Sequence, residues 1–123
     1  VHNVILHIIS RDELADHVAD GEYRAPSLAD VGFTHCSDPG TVHLPANALY
    51  AGRTDLLLMV IDPALLTVPV RWEPGDPPQP GGPWFPHVYG PISMSAVLSV
   101  LEFPSRADGT FQLPTALAEA RAT

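Results

Sequence analysis

A chain of 123 residues, 46% apolar and 16% charged, has the size and composition of one folded domain and is too apolar for a disordered polymer. Six basic against fourteen acidic residues leave a net charge of −8 at pH 7; all six bases are arginine. That balance counts against nucleic-acid and anionic-membrane surfaces, and the absence of lysine excludes Schiff-base chemistry and a lysine-bearing phosphate loop. A single cysteine, Cys36, excludes an internal disulfide framework and a multi-cysteine zinc site.

No basic leader precedes an apolar stretch, and the longest uncharged apolar run is Leu56 to Ile61, so a cytoplasmic chain with no membrane anchor is expected. Val4 to Ile9 is β-branched and nearly continuous in hydrophobicity, the pattern of a buried strand. Ser10-Arg11-Asp12-Glu13 then matches a capping box, and Leu14, Val18 and Gly21 predict a helix of about three turns. Glu22 to Pro26 is extended or irregular, and Ser27 to Asp30 forms a single capped turn broken by Gly32. Phe33 to Cys36 is a second short strand. Asp38-Pro39 reads as a helix start, with the helix running to about Tyr50, Gly52 as its stop, and Pro45 kinking or dividing it.

Leu56 to Ile61 is the strongest strand signal in the chain. Val68 to Glu73 predicts another, with Pro69 at its edge. Pro74 to Pro83 holds five prolines and three glycines and predicts a surface loop able to act as a lid. Trp84 to Tyr89 is extended, Ala96 to Phe103 is a last strand, and the alanine-rich stretch after Pro114 forms a short terminal helix. The order β-α-β-α-β-β-β-β predicts an α+β fold: a small single domain over residues 1–103, with a curved, mostly antiparallel split sheet and two or three short helices. Residues 104–123 form an extension packed on that domain or trailing from it.

Candidate chemistry lies at strand ends beside turns, where sites are commonly built. His7, His35, Glu73 and His87 are the polar residues so placed. Strand alternation puts His35 and Ser37 on one face, and His87 and Tyr89 on one face, so a single cleft can receive all four. The ordinary reading of each is structural: a histidine satisfied at a core boundary, a solvated glutamate, Cys36 as a small buried apolar residue, and Trp72, Trp84, Phe85 and Tyr89 as core or the wall of a ring-binding pocket. His2, His17 and His43 read as surface residues. Three histidines and a carboxylate also admit a metal, but no His-Glu-x-x-His or His-x-His spacing supports one. Ser37 lacks the Gly-x-Ser-x-Gly turn of a hydrolase nucleophile.

Leu6-His7-Ile8, Gly32-Phe33-Thr34-His35-Cys36-Ser37, Arg53-Thr54-Asp55-Leu56, Arg71-Trp72-Glu73 and Phe85-Pro86-His87-Val88-Tyr89-Gly90-Pro91 occur in that order. As a set they resemble the small bacterial proteins of the domain-of-unknown-function 952 family, from about Val4 to Phe103. That family is similar in fold to the ADP-ribosyltransferase superfamily, which includes the RNA 2′-phosphotransferases. The resemblance implies a split sheet with a cleft for NAD as a possible substrate. It implies His7 at the nicotinamide ribose, Ser37 or Tyr89 as the second site element, Glu73 as the carboxylate opposite an oxocarbenium-like transition state, and Arg11, Arg24 or Arg53 at the pyrophosphate. The few arginines and the acidic balance depart from the RNA-processing members, and the Glu-x-Glu and Gln-x-Glu signatures of arginine-specific transferases are absent.

Three functions follow as expectations. The first is an ADP-ribosyltransferase-like enzyme acting on NAD or a related nucleotide through His7, His35, Ser37, Glu73, His87 and Tyr89, with His7, Arg24, Ser37 and Arg53 holding the nucleotide. The second is a nucleotide-binding module of the same cleft without catalysis. The third is a histidine-ligated metal enzyme.

Overall fold

The computed structural model describes residues 3–75 and 78–122. Its centre is a three-stranded antiparallel sheet in which β5 (Leu56–Ile61) lies between β1 (Ile5–Ser10) and β9 (Val97–Glu102). All six residues of β5 are buried because both faces of this sheet are covered. Leu57, Met59 and Ile61 join Ile5, Ile9, Tyr23, Cys36, Val88 and Ile92 in one core. Leu56, Leu58 and Val60 face the other way, onto Leu6, Val42, Ala46, Phe103, Phe111 and Leu117. His7 pairs with Met59 and so points into the first core.

The first helix, α1 (Arg11–His17), starts as expected: the Ser10 hydroxyl accepts from the Glu13 amide at 3.1 Å. It runs about two turns instead of three. Asp20 and Gly21 both adopt positive φ, 54° and 75°, the signature of a type I′ hairpin turn. That turn folds β2 (Val18–Ala19) onto β3 (Glu22–Tyr23), which pairs in turn with β8 (Ile92–Ser93) to make a second small sheet. The predicted helical end at Gly21 is therefore a hairpin.

Next come α2 (Ser27–Val31), closed by Gly32 at φ 88°, and β4 (Thr34–His35). Past β4, the amide and carbonyl of Ser37 each bond Leu6 at 2.7 Å, tying this segment to the edge of β1. The next helix, α3 (His43–Leu49), begins five residues later than Asp38. Asp38 instead closes a turn, its carbonyl accepting from the Thr41 and Val42 amides and its carboxylate from the Thr41 hydroxyl. Pro45 thus falls in the first helical turn, where a missing N–H costs nothing, and it introduces no break.

A third antiparallel sheet orders β4, β7 (Trp84–Val88) and β6 (Val70–Pro74). The fold is α+β with antiparallel sheets, but among the described residues the expected split sheet is three separate three-stranded ones, and four short α-helices stand where two or three were predicted. Beyond β9 the chain returns to the second core. Gly109 accepts from the Gly52 amide at 2.8 Å, the Phe111 amide bonds Asn47 Oδ1 at 2.7 Å, and Phe111 packs on Phe103 with ring centroids 4.9 Å apart. Leu117 of α4 (Thr115–Ala122) is buried there as well. Among the described residues no helix is long and apolar enough to cross a membrane.

Candidate functional site

The three sheets and α3 leave a cleft of about 720 Å³ along the edge of β1. Its walls come from His7 and Ile8 of β1, Tyr23 of β3, the 35–37 segment leaving β4, Leu44 to Tyr50 on and after α3, and Phe85 and His87 of β7. Gly75, Gln79 and Pro83 of the proline-rich loop line it as well. Asp76 and Pro77, inside that loop, lie outside the described residues.

Of the six residues singled out in the sequence, His7, His35, Ser37 and His87 line this cleft. Glu73 and Tyr89 do not; they stand behind His87. Glu73 Oε1 accepts from His87 Nδ1 at 2.8 Å and from the Tyr89 hydroxyl at 2.6 Å. Both donors hold the Glu73 carboxyl below its ordinary range, Tyr89 most strongly, and the carboxylate in return raises the Tyr89 phenol. The pairing of β6 with β7 sets this up. Arg71 lies opposite His87 and Glu73 opposite Phe85, so Glu73 shares the His87 face of the sheet. Phe33 stacks on the His87 ring, centroids 4.1 Å apart and planes 16° apart, which fixes the imidazole from a second side. Among the described residues nothing hydrogen-bonds His87 Nε2.

His7, 8% exposed, gives its Nδ1–H to the backbone carbonyl of His35 at 2.7 Å. A carbonyl only accepts, so the proton sits on Nδ1 and the neutral ring presents Nε2 as an acceptor. That nitrogen lies 3.0 Å from the Tyr23 hydroxyl, which lies 3.1 Å from Glu13 Oε2. Burial, the largest influence, pushes His7 below the ordinary histidine value, against the pull of the His35 carbonyl and Glu13. Burial followed by the Glu13 carboxylate raises the Tyr23 phenol. Sequence reasoning missed both Glu13 and Tyr23. The Asp20-Gly21 hairpin was the available signal, since it folds Tyr23 back toward α1.

The arginines expected at a pyrophosphate lie elsewhere. Arg24 pairs with Glu22 at 3.2 Å, Arg53 forks onto Asp55 and covers the Tyr50 ring, and Arg11 pairs with Glu102. None lines the cleft. Cys36 borders it, but burial raises its thiol well above the ordinary range, which suits a packed side chain and not a nucleophile. Among the described residues no three histidine, cysteine or acidic side chains come together to hold a metal ion, and His7 has both ring nitrogens engaged.

Residues 8–100 match the family model described as protein of unknown function (DUF952). The crystal structure of protein CC0527 from Caulobacter crescentus is 32% identical, covering 94% of this chain and 98% of that one with a TM-score of 0.77. A solution NMR structure of CC0527 is 29% identical over 94% and 97%, with a TM-score of 0.74. None of the curated proteins matches the chain.

Proposed function

The chain belongs to the DUF952 family, and from the geometry of its cleft we propose that it binds a small, ring-bearing molecule there and moves a proton on it through His87. One observation carries this reading. His87 is 3% exposed, its Nδ1–H is fixed by Glu73, and among the described residues its Nε2 has no partner, in the wall of a cleft large enough for a small organic ligand. A histidine whose far nitrogen is held by a carboxylate is locked in one tautomer and offers the other nitrogen as a base. Leu44, Pro45, Leu49 and Phe85 supply the apolar body of the cleft, while Ser37 and His7 supply polar contacts.

The resemblance to the ADP-ribosyltransferase superfamily suggests NAD or another nucleotide as ligand. His7 and Ser37 facing the cleft favour that reading; the position of Arg11, Arg24 and Arg53 outside it does not. Two measurements test the proposal. Long-range ¹H–¹⁵N correlation spectra should show His87 as the Nδ1–H tautomer, and a population protonated on Nε2 alone would overturn its role as base. Titration with neutral aromatic fragments should shift the signals of His7, Phe85 and His87 together; shifts scattered elsewhere would overturn the cleft as the site. NAD and ADP-ribose in the same titration should leave those signals in place at millimolar concentration.

A further inference from the structure

We propose that the ligand of this cleft is an organic cation, an amine or protonated nitrogen heterocycle on an apolar ring body, with Glu13 as the group that receives its N–H; this rests on the cleft being the binding site. Two independent observations carry it. The first is the distribution of charge. Glu13 is the one side chain of fixed acidic or basic type among the described cleft walls, since the others are apolar, hydroxyl, amide or imidazole. The described arginines all lie outside: Arg11, Arg24, Arg53 and Arg106 reach carboxylates, and Arg71 lies over the Tyr89 ring. The chain contains no lysine to replace them. Among the described residues no arginine lines the cleft, and Arg53, which covers the Tyr50 ring and feels the Glu13 charge, is already forked onto Asp55; the net charge of −8 raises the local concentration of cations.

The second observation is a count of protons. With His7 Nδ1–H committed to the His35 carbonyl, the Tyr23 hydroxyl has one proton for two acceptors, His7 Nε2 at 3.0 Å and Glu13 Oε2 at 3.1 Å. The wall is therefore one donor short. A ligand N–H directed at Glu13 supplies it, leaving the Tyr23 proton for His7. A ligand carrying only acceptors that covers Glu13 displaces water from this partly exposed carboxylate without replacing its donor, which weakens binding. The Phe85 ring in the same wall suits a cation further, since ring faces attract positive charge.

The test uses three probes with one ring body and different charge: benzylamine, benzyl alcohol and benzoate, titrated into the full chain and followed by NMR shifts of His7, Phe85 and His87. Benzylamine should bind about tenfold or more tightly than benzyl alcohol, as a charge-assisted hydrogen bond does relative to a neutral one, and benzoate should bind weakest. In Glu13→Gln, the preference for benzylamine over benzyl alcohol should be lost. Added salt should weaken benzylamine alone. Equal binding of the three probes to the unsubstituted chain, or a preference for benzoate, would overturn the cation inference while leaving the cleft as the site. Failure of all three to move the cleft signals would overturn the cleft reading itself, and the inference with it.

Discussion

His7 makes the fold sensitive to mild acid, and the size of the effect follows from its surroundings. It is enclosed by Tyr23 on β3, Glu13 on α1, the His35 carbonyl on β4, Cys36 and the apolar side chains of β5. Burial lowers its proton affinity in the folded state below the ordinary value near 6.5. A group depressed in this way stabilises the fold fully above its unfolded-state pKa, and that stability is lost as the pH falls through the folded pKa. The unfolded chain takes up a proton at His7 below pH 6.5 that the folded chain resists, so stability falls with a slope of at most about 1.4 kcal/mol per pH unit for as long as the folded ring stays neutral. Urea denaturation followed by circular dichroism at intervals from pH 7.5 to 5 measures it. The matched variant is His7→Gln, whose amide can still donate to the His35 carbonyl and accept from Tyr23 but does not titrate. The unsubstituted chain should lose stability across this window and the variant should lose less, the difference growing by no more than that slope. Parallel curves, or a gain in stability toward pH 5, would refute the assignment of His7 as a buried neutral histidine.

Phe111→Ala should cost about 3–5 kcal/mol, seen as a large fall in melting temperature, because Phe111 is 3% exposed and fills the second core against Phe103. A loss under about 1 kcal/mol would mean that residues beyond Phe103 are not integral to that core. Thr34→Val should leave the fold intact and raise stability by roughly 1 kcal/mol in urea denaturation, since the Thr34 hydroxyl is buried with no hydrogen-bond partner among the described residues. A loss of stability would show that the hydroxyl has a partner after all.

The elements that announced themselves in the sequence are those whose local chemistry agrees with the tertiary structure. β5 is six apolar residues buried on both faces, and its run of Leu56 to Ile61 reads directly. The Ser10 cap is satisfied within three residues. The errors arose where two local signals competed. Leu14 and Val18 keep helical spacing while Asp20-Gly21 calls for a hairpin, and the hairpin prevails because Glu22 and Tyr23 find Ser93 and Ile92 as partners some seventy residues away. Asp38-Pro39 has the chemistry of a helix start, yet its backbone closes a turn first. The pairing of Leu6 with Ser37, and of β6 with β7 across the proline-rich loop, is non-local and leaves no mark in the pattern of either segment.

The same split governs the site. That His35, Ser37 and His87 meet was readable as a possibility from strand alternation, which set Tyr89 beside them and left His7 out; that Glu73 and Tyr89 fall behind His87 depended on register. The arginines show the converse. Arg53 and Asp55, like Arg24 and Glu22, sit two residues apart, so their mutual neutralisation was within reach of the sequence and argued against assigning either to a pyrophosphate.

Structure and chemistry meet most closely at the bridge between Leu6 and Ser37. Its two backbone bonds join the edge of β1 to the segment leaving β4, and so carry the His35 carbonyl alongside His7. That carbonyl decides which nitrogen of His7 bears the proton. The tautomer in turn leaves Nε2 an acceptor and makes the Glu13–Tyr23–His7 wall short of a donor. On the far side of the cleft, the register of β6 against β7 places Glu73 on the His87 face and fixes the opposite arrangement, a ring whose Nδ1–H is held while nothing among the described residues bonds Nε2. The two carboxylates therefore differ in kind. Glu73 holds from behind a histidine that lines the cleft, and Glu13 lines the cleft itself. A change in either backbone pairing by one residue would reverse which side chains face the cleft, so the polarity of the site is a consequence of sheet register as much as of residue type.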